Sequence, residues 1–247
     1  MHNQNSPILE TCLSPSLLDL YDLEDTIVIV IDIFRATTTM SVAFANGASK
    51  IYPFLNVDDC KEFKKANPEI ISAGERNGKL LEGMDKGNSP ADFPPEVISG
   101  KVLGFTTTNG TKILHMSFNK NAKEIIVGAF VNINNVIDYL KKRNKKVILA
   151  CAGWKDKVNM EDTLFAGAVA YALKDSFQID CDASKIAMQY WKSTDYGKNL
   201  YNALKSSNHY NRLHKLGAGE DIITCTSLNT HPCLAIFNKE GYLSNML

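Results

Sequence analysis

Hydroxyls, an amide and a glycine crowd into Phe105-Thr106-Thr107-Thr108-Asn109-Gly110-Thr111, immediately after the apolar run Lys101-Val102-Leu103-Gly104. A turn of this kind can aim backbone N–H groups and hydroxyls at an anion. The same pattern occurs twice more. Val28-Ile29-Val30-Ile31 runs into Asp32-Ile33-Phe34-Arg35-Ala36-Thr37-Thr38-Thr39, and Val147-Ile148-Leu149-Ala150 runs into Cys151-Ala152-Gly153-Trp154. Three apolar strands ending in polar or small clusters predict one anion site assembled from several strand ends.

Charged residues accompany these turns. Asp32 follows a buried-type strand, where one carboxylate with waters and substrate oxygens would suit Mg²⁺. Arg35 could clamp a phosphate or carboxylate with its planar fork. The alternative makes Asp32 a helix cap and Arg35 its ion-pair partner. Glu75-Arg76 and Asp85 offer a metal-binding carboxylate and an anion-binding arginine, or ordinary solvated charges. Glu161-Asp162 opens an Ala-rich helix after Asn159. It supplies a second carboxylate for a metal, or Asn159 and Asp162 share capping-box spacing.

Other chemistries find no support. Gly110 is followed by Thr111-Lys112, not by the Lys then Ser or Thr of a P-loop, so ATP binding is not implied. The five histidines lack metalloprotease spacing. His209 and His214 could share a helix face, with a surface or packing role. No Gly-x-Ser-x-Gly elbow occurs, and Phe34 stands where an Asp-x-Asp phosphatase motif needs its second aspartate. The six cysteines form no C-x-x-C pair, which removes zinc-ribbon and thioredoxin-type sites and fits reduced thiols. The start of the chain shows no secretory signal, and no apolar run spans a bilayer. A cytoplasmic location is the expectation.

The elements that must position these residues follow a strand–helix rhythm. Strands are expected at 27–31, 51–54, 101–105, 124–130 and 146–151, and helices at 37–46, 58–66, 109–119, 132–143 and 161–174. Alternation of this kind argues for α/β layers. Residues 28–54 and 102–130 look alike, which suggests an internal repeat. Residues 72–95 are rich in Gly, Asn, Asp and Pro and read as a long functional loop. The first 25 residues read as an arm with a helix start at Ser14-Pro15. Residues 184–214 read as helical, with Leu200, Leu204 and Leu213 on one stripe; residues 221–225 and 235–237 read as added strands. With 247 residues, 45% hydrophobic, a sizeable core is available, and no linker divides the chain, so one domain over 1–247 is expected. Lys+Arg and Asp+Glu balance at 27 each, which gives no global field for nucleic acid or membrane and favours a small substrate.

Taken in order, these segments resemble the 2-phosphosulfolactate phosphatase family. The matching pieces are Ile31-Asp32 with Arg35-Ala36-Thr37-Thr38-Thr39, Ala45-Asn46-Gly47-Ala48, Gly74-Glu75-Arg76 and Gly87-Asn88-Ser89-Pro90. Thr106 through Thr111, Cys151-Ala152-Gly153, and Glu161-Asp162 with Ala166-Gly167 complete the set. Asn77, Met84 and Lys86 depart from the pattern. The resemblance implies a three-layer α/β/α fold with a mixed sheet. It implies a Mg²⁺-dependent phosphatase that converts 2-phospho-3-sulfolactate, or a related 2-hydroxy-acid phosphate, to 3-sulfolactate and phosphate, a step towards coenzyme M. It also suggests a homodimer. In this reading Asp32, Arg35, Glu75 and Arg76 are catalytic. Thr37, Thr38, Thr107, Thr108, Asn109, Gly110, Thr111 and Gly153 bind substrate. Asp32, Glu75, Glu161 and Asp162 are the candidate metal ligands. Direct attack by water is the default, and a phosphoenzyme at Asp32 the variant. The rival reading is a non-catalytic sensor for sulfonates or hydroxy acids.

Overall fold

The computed structural model describes residues 6–247. Residues 1–5, which contain His2 and part of the stretch read as lacking a secretory signal, lie outside the described residues. Strands β1 (Leu9–Cys12) and β2 (Ile27–Ile31) lead into α1 (Ala36–Ala45), β3 (Lys50–Phe54), α2 (Val57–Ala66), β4 (Ile71–Arg76) and β5 (Lys79–Leu80). After the short α3 (Pro95–Ile98) come β6 (Val102–Thr106), α4 (Gly110–Asn119), β7 (Glu124–Gly128), α5 (Ile133–Lys141), β8 (Val147–Cys151) and α6 (Met160–Leu173). Helices α7 (Asp182–Ser193), α8 (Leu200–Leu204), α9 (Asn208–Lys215) and α10 (Gly219–Cys225) follow, then β9 (Ala235–Phe237) and β10 (Leu243–Asn245). No helix among the described residues is long and apolar enough to cross a membrane.

The strands form one mixed sheet of ten, in the order β1-β8-β2-β7-β9-β10-β3-β6-β4-β5. Strands β1, β8, β2 and β7 are mutually parallel, with Val28 opposite both Ile148 and Ile125. Strands β3, β6 and β4 form a second parallel block. The antiparallel pair β9–β10 joins the blocks, which therefore run in opposite senses. Five strand steps separate β2 from β6, and at roughly 20–25° of twist per step the sheet turns through about 100–125° between them. That turn brings the carboxyl ends of the two blocks towards one another.

Burial on both faces explains the unbroken apolar strands. In β2, Ile27, Ile29 and Ile31 face a core shared with Val136 of α5, Phe165 of α6 and Trp191 of α7. Val28 and Val30 face the opposite core, with Met40 and Phe44 of α1 and Ile113 and Leu114 of α4. The result is the expected α/β/α arrangement. Helix α6 is buried almost all round, and α7 crosses it at Gly167. A Cβ there would lie 2.0 Å from the Ala187 carbonyl oxygen.

Four expectations need correction. Residues 72–95 are not a long loop: Ser72 through Arg76 lie in β4, and Asn77-Gly78, both at positive φ, turns directly into β5. An Asn-Gly pair between two strands is the signal for that hairpin. Phe93 and Met84 then anchor the remainder in the interior. Residues 221–225 form helix α10, not a strand. Ile222 and Cys225 are buried while Ile223 is exposed, a helical period rather than a strand's. The opening arm contains β1, paired with β8 along its whole length; four residues are too few to show a period. Residues 184–214 break into α7, α8 and α9, with Asp195 and Tyr196 at positive φ between the first two. Leu200, Leu204 and Leu213 nevertheless share one core. The two segments read as a repeat are both strand–helix–strand, which by itself does not establish a repeat.

Gly167→Ala is expected to cost about 1–3 kcal/mol, because helices in contact cannot absorb an added methyl. A lowered urea midpoint checks this; an unchanged midpoint would mean that α6 and α7 do not touch there.

Candidate active site

The first arm of the site is the turn from β2 into α1. The Asp32 N–H donates to Thr37 Oγ1 at 3.0 Å, and the Thr38 hydroxyl donates to the Ile33 carbonyl at 2.9 Å. Thr37 and Thr38 are buried beneath the turn and set its shape. Gly110, at the start of α4, packs against Asp32: a Cβ there would sit 2.9 Å from Asp32 Oδ2 and 2.6 Å from the Ala36 Cβ. Glycine alone permits this approach. Among the described residues, no group donates a hydrogen bond to the Asp32 carboxylate. Burial pushes its carboxyl up to about 8, and the charges of Asp162, Glu75 and Glu161 push the same way.

The second arm opens α6. Asp162 accepts from the Ile33 N–H at 2.9 Å and from the Gly153 N–H at 3.0 Å, so its two oxygens stitch the β2 turn to the β8 turn. The expected capping box is absent. Asn159 stands at the helix start without a side-chain cap bond, because Asp162 is engaged elsewhere. Glu161 is fully buried. Its Oε1 lies 2.5 Å from His209 Nδ1, and its Oε2 has no partner. Burial raises the Glu161 carboxyl to about 7 and lowers His209 to about 3. His209 is thus a neutral imidazole held by a carboxyl group.

The third arm comes from the other block. Glu75, at the end of β4, accepts from the Thr108 N–H and hydroxyl at 2.9 Å each and from the Gly78 N–H at 2.6 Å. It pins residues 106–111 to the β4–β5 hairpin. Arg76 donates to the carbonyls of Glu75 and Leu55 and to Thr106 Oγ1. Asp85 accepts from Ser72 and lies 3.1 Å from Lys64. Arg35 does not pair with Asp32. It forms a buried ion pair with Asp221 of α10, whose other oxygen accepts from the Ser89 hydroxyl at 2.5 Å.

The structure thus divides the residues singled out in the sequence. Asp32, Arg35, Glu75 and Asn109 line a tight cavity of about 20 Å³, room for about one water-sized group. Arg76, Thr107, Thr108 and Thr111 line a neighbouring groove of about 340 Å³ with Lys112. Glu161 and Asp162 lie beneath, and the Gly153 N–H is spent on Asp162. Residues not assigned to the site from the sequence also line the tight cavity: Asn88, Trp154, His209 and Arg212. Arg212 lies with its guanidinium carbon 3.6 Å from the centroid of the Trp154 ring. Asn88 and Trp154 stand in segments that the sequence singled out, whereas only their spacing on one turn of α9 hinted at His209 and Arg212.

Among the described residues, no three His, Cys, Asp or Glu side chains converge as a metal cage. A cation that keeps several waters needs only one or two carboxylates. Asp32, without a hydrogen-bond donor, and the unpartnered buried oxygens Glu161 Oε2 and Asn88 Oδ1 are hard acceptors suited to one. The oxygens of Glu75 and Asp162 are already occupied by N–H and O–H donors.

Buried acids and guanidinium groups gather where strands end in an α/β/α fold, an arrangement suited to a small anion. The family model for 2-phosphosulpholactate phosphatase matches residues 12–240, and the chain belongs to that family, whose members are phosphoric monoester hydrolases by name. It is 38% identical over 212 residues to a protein named probable 2-phosphosulfolactate phosphatase from Caldanaerobacter subterraneus subsp. tengcongensis, covering 84% of this chain and 86% of that one. A protein of the same name from Thermotoga petrophila is 36% identical, covering 81% and 83%. One from Prochlorococcus marinus is 34% identical, covering 86% and 88%.

Asp32 holds its proton in the fold up to about 8 but loses it near 3.8 when exposed. Stability therefore falls as pH rises between those values. Asp32→Asn cannot lose that proton. In EDTA it is expected to raise Tm little at pH 4 and by several degrees at pH 8, at ~2–4 °C per kcal/mol for a chain of this size. An equal or lower Tm at pH 8 would contradict a desolvated carboxylate.

Proposed function

We propose that this chain is a Mg²⁺-dependent phosphatase that hydrolyses 2-phospho-3-sulfolactate, or a closely related 2-hydroxy-acid phosphate, to 3-sulfolactate and phosphate. The observation that carries the reading is Asp32: a buried carboxylate at a strand end, without a protein donor, beside the N-terminus of α4. Such a group calls for a cation, and a cation there calls for an anionic substrate. When bound, Mg²⁺ would offset the charge that builds on the phosphoryl oxygens. Asp32 and Glu161 would hold it, with Asn88 Oδ1 as a neutral oxygen.

The remaining work falls to the chain itself. Asn109 and the N-terminus of α4 offer polar groups and a positive dipole end to the phosphate. Water attacks phosphorus, the bond to the hydroxy-acid oxygen breaks, and that oxygen takes up a proton. Neutral His209, with Nδ1 against Glu161, lines the cavity and offers its other nitrogen as a hydrogen-bond partner for substrate or water. Asp162 keeps the β2 and β8 turns in register while charge moves.

The test is phosphate release from racemic 2-phospho-3-sulfolactate, with Mg²⁺ and then with EDTA, beside phospholactate. Release that requires Mg²⁺ and prefers the sulfonate is expected. Asp32→Asn should lower kcat by roughly 10²–10⁴-fold. Tight binding of 3-sulfolactate with no release from either ester would replace the enzyme by a sensor.

A further inference from the structure

Three arginines stand near the tight cavity, and their hydrogen-bond states differ. Arg35 is neutralised by Asp221. Arg76 spends its guanidinium on two carbonyls and the Thr106 hydroxyl. Arg212 has no hydrogen-bond or ion-pair partner among the described residues, yet it lines the cavity. Its guanidinium carbon lies over the Trp154 ring, 3.6 Å from the centroid. Stacking immobilises a guanidinium through its face and leaves its N–H edge free. An edge of parallel N–H donors matches two oxygens of one oxyanion.

Position decides which oxyanion. Asp32 and Glu75 belong to strand ends, whereas Arg212 belongs to α9, packed over them. A phosphoryl group drawn towards the strand-end carboxylates through a cation turns the substrate's other charged end towards α9. Asp32, which lines the cavity at the end of β2 with no donor on its carboxylate among the described residues, marks that end as the place for a cation. Among the described residues, Arg212 is the arginine of this cavity whose N–H edge has no hydrogen-bond or ion-pair partner. Sulfonate also suits a guanidinium, since both are weakly hydrated and both stay charged across the working pH range.

We infer that Arg212, held against Trp154, binds the sulfonate of the substrate and sets the preference for sulfonated over unsulfonated hydroxy-acid phosphates. The inference rests on the phosphatase reading for its substrate but not for its contact. Arg212 is a binding residue; Trp154 is a positioning residue acting through it.

The test separates contact from turnover. Calorimetric titration with 3-sulfolactate and with lactate needs no chemistry. Arg212→Gln should weaken 3-sulfolactate by about 10–100-fold, the range for a hydrogen-bonded charged group, and leave lactate within about threefold. Arg212→Lys, which keeps the charge but not the fork, should fall between. Trp154→Leu should weaken 3-sulfolactate in the same direction while Arg212 remains. In turnover, Arg212→Gln should raise KM for 2-phospho-3-sulfolactate with little change in kcat and leave phospholactate nearly untouched. Unchanged 3-sulfolactate binding in Arg212→Gln, with the circular dichroism of the wild type, would overturn the inference. Equal kcat loss on both esters would also overturn it, assigning Arg212 to the phosphate. Arg212-dependent binding of 3-sulfolactate without release from either ester would leave the inference standing and sink the phosphatase reading alone.

Discussion

Three carboxylates, Asp32, Glu161 and Asp162, are buried where β2 and β8 hand over to the helices that follow, and a carboxylate taken out of water is costly unless something answers it. The three are answered differently. Asp162 has its pKa raised by burial, and the two backbone N–H groups it receives pull against that rise and fix two turns at once. Glu161 has His209 on one oxygen and nothing on the other. Asp32 has no donor at all, and burial raises its pKa accordingly. Most of the local architecture can be traced to that graded satisfaction. The fully satisfied acid is scaffold, and the unsatisfied ones are open to a ligand.

The fold reaches this state through close approach as much as through charge. Two parallel blocks running in opposite senses bring their strand ends together across a twisted sheet. Gly110 lets the N-terminus of α4 lie directly on Asp32. Glu75, which lines the same cavity, is spent on holding residues 106–111 to the hairpin. The threonine-rich turn that dominates the sequence therefore divides its work. Asn109 faces the tight cavity, while Thr107, Thr108 and Thr111 face the groove beside it.

Much of this was legible in the residues, for physical reasons. Apolar runs buried on both faces announce themselves, so β2, β6, β7 and β8 and their helices were visible, as were Asp32 and the three strand-end clusters. Short elements such as β1 and α10 were not, because a period needs length. Asn77-Gly78 carried the hairpin signal, but the surrounding glycines suggested a loop. Pairings over long separation lay beyond reach. Nothing near Arg35 points to Asp221, 186 residues away. His209 and Arg212 sit in a polar helix whose inward face only the fold reveals.

The buried pair between Arg35 and Asp221, reinforced by Ser89, ties α10 and the adjoining α9 down over a cavity with room for little more than one water-sized group. A multiply charged acid entering this cavity would need more space, so its arrival and the loosening of this latch would be one event. The two halves of that event follow different electrostatics. The pull on an approaching anion acts through solvent and fades within about 8 Å at physiological ionic strength, whereas a desolvated ion pair is shielded from salt. Dissolved ions then govern how often a ligand reaches the opening, while the protein interior alone governs how readily the opening yields.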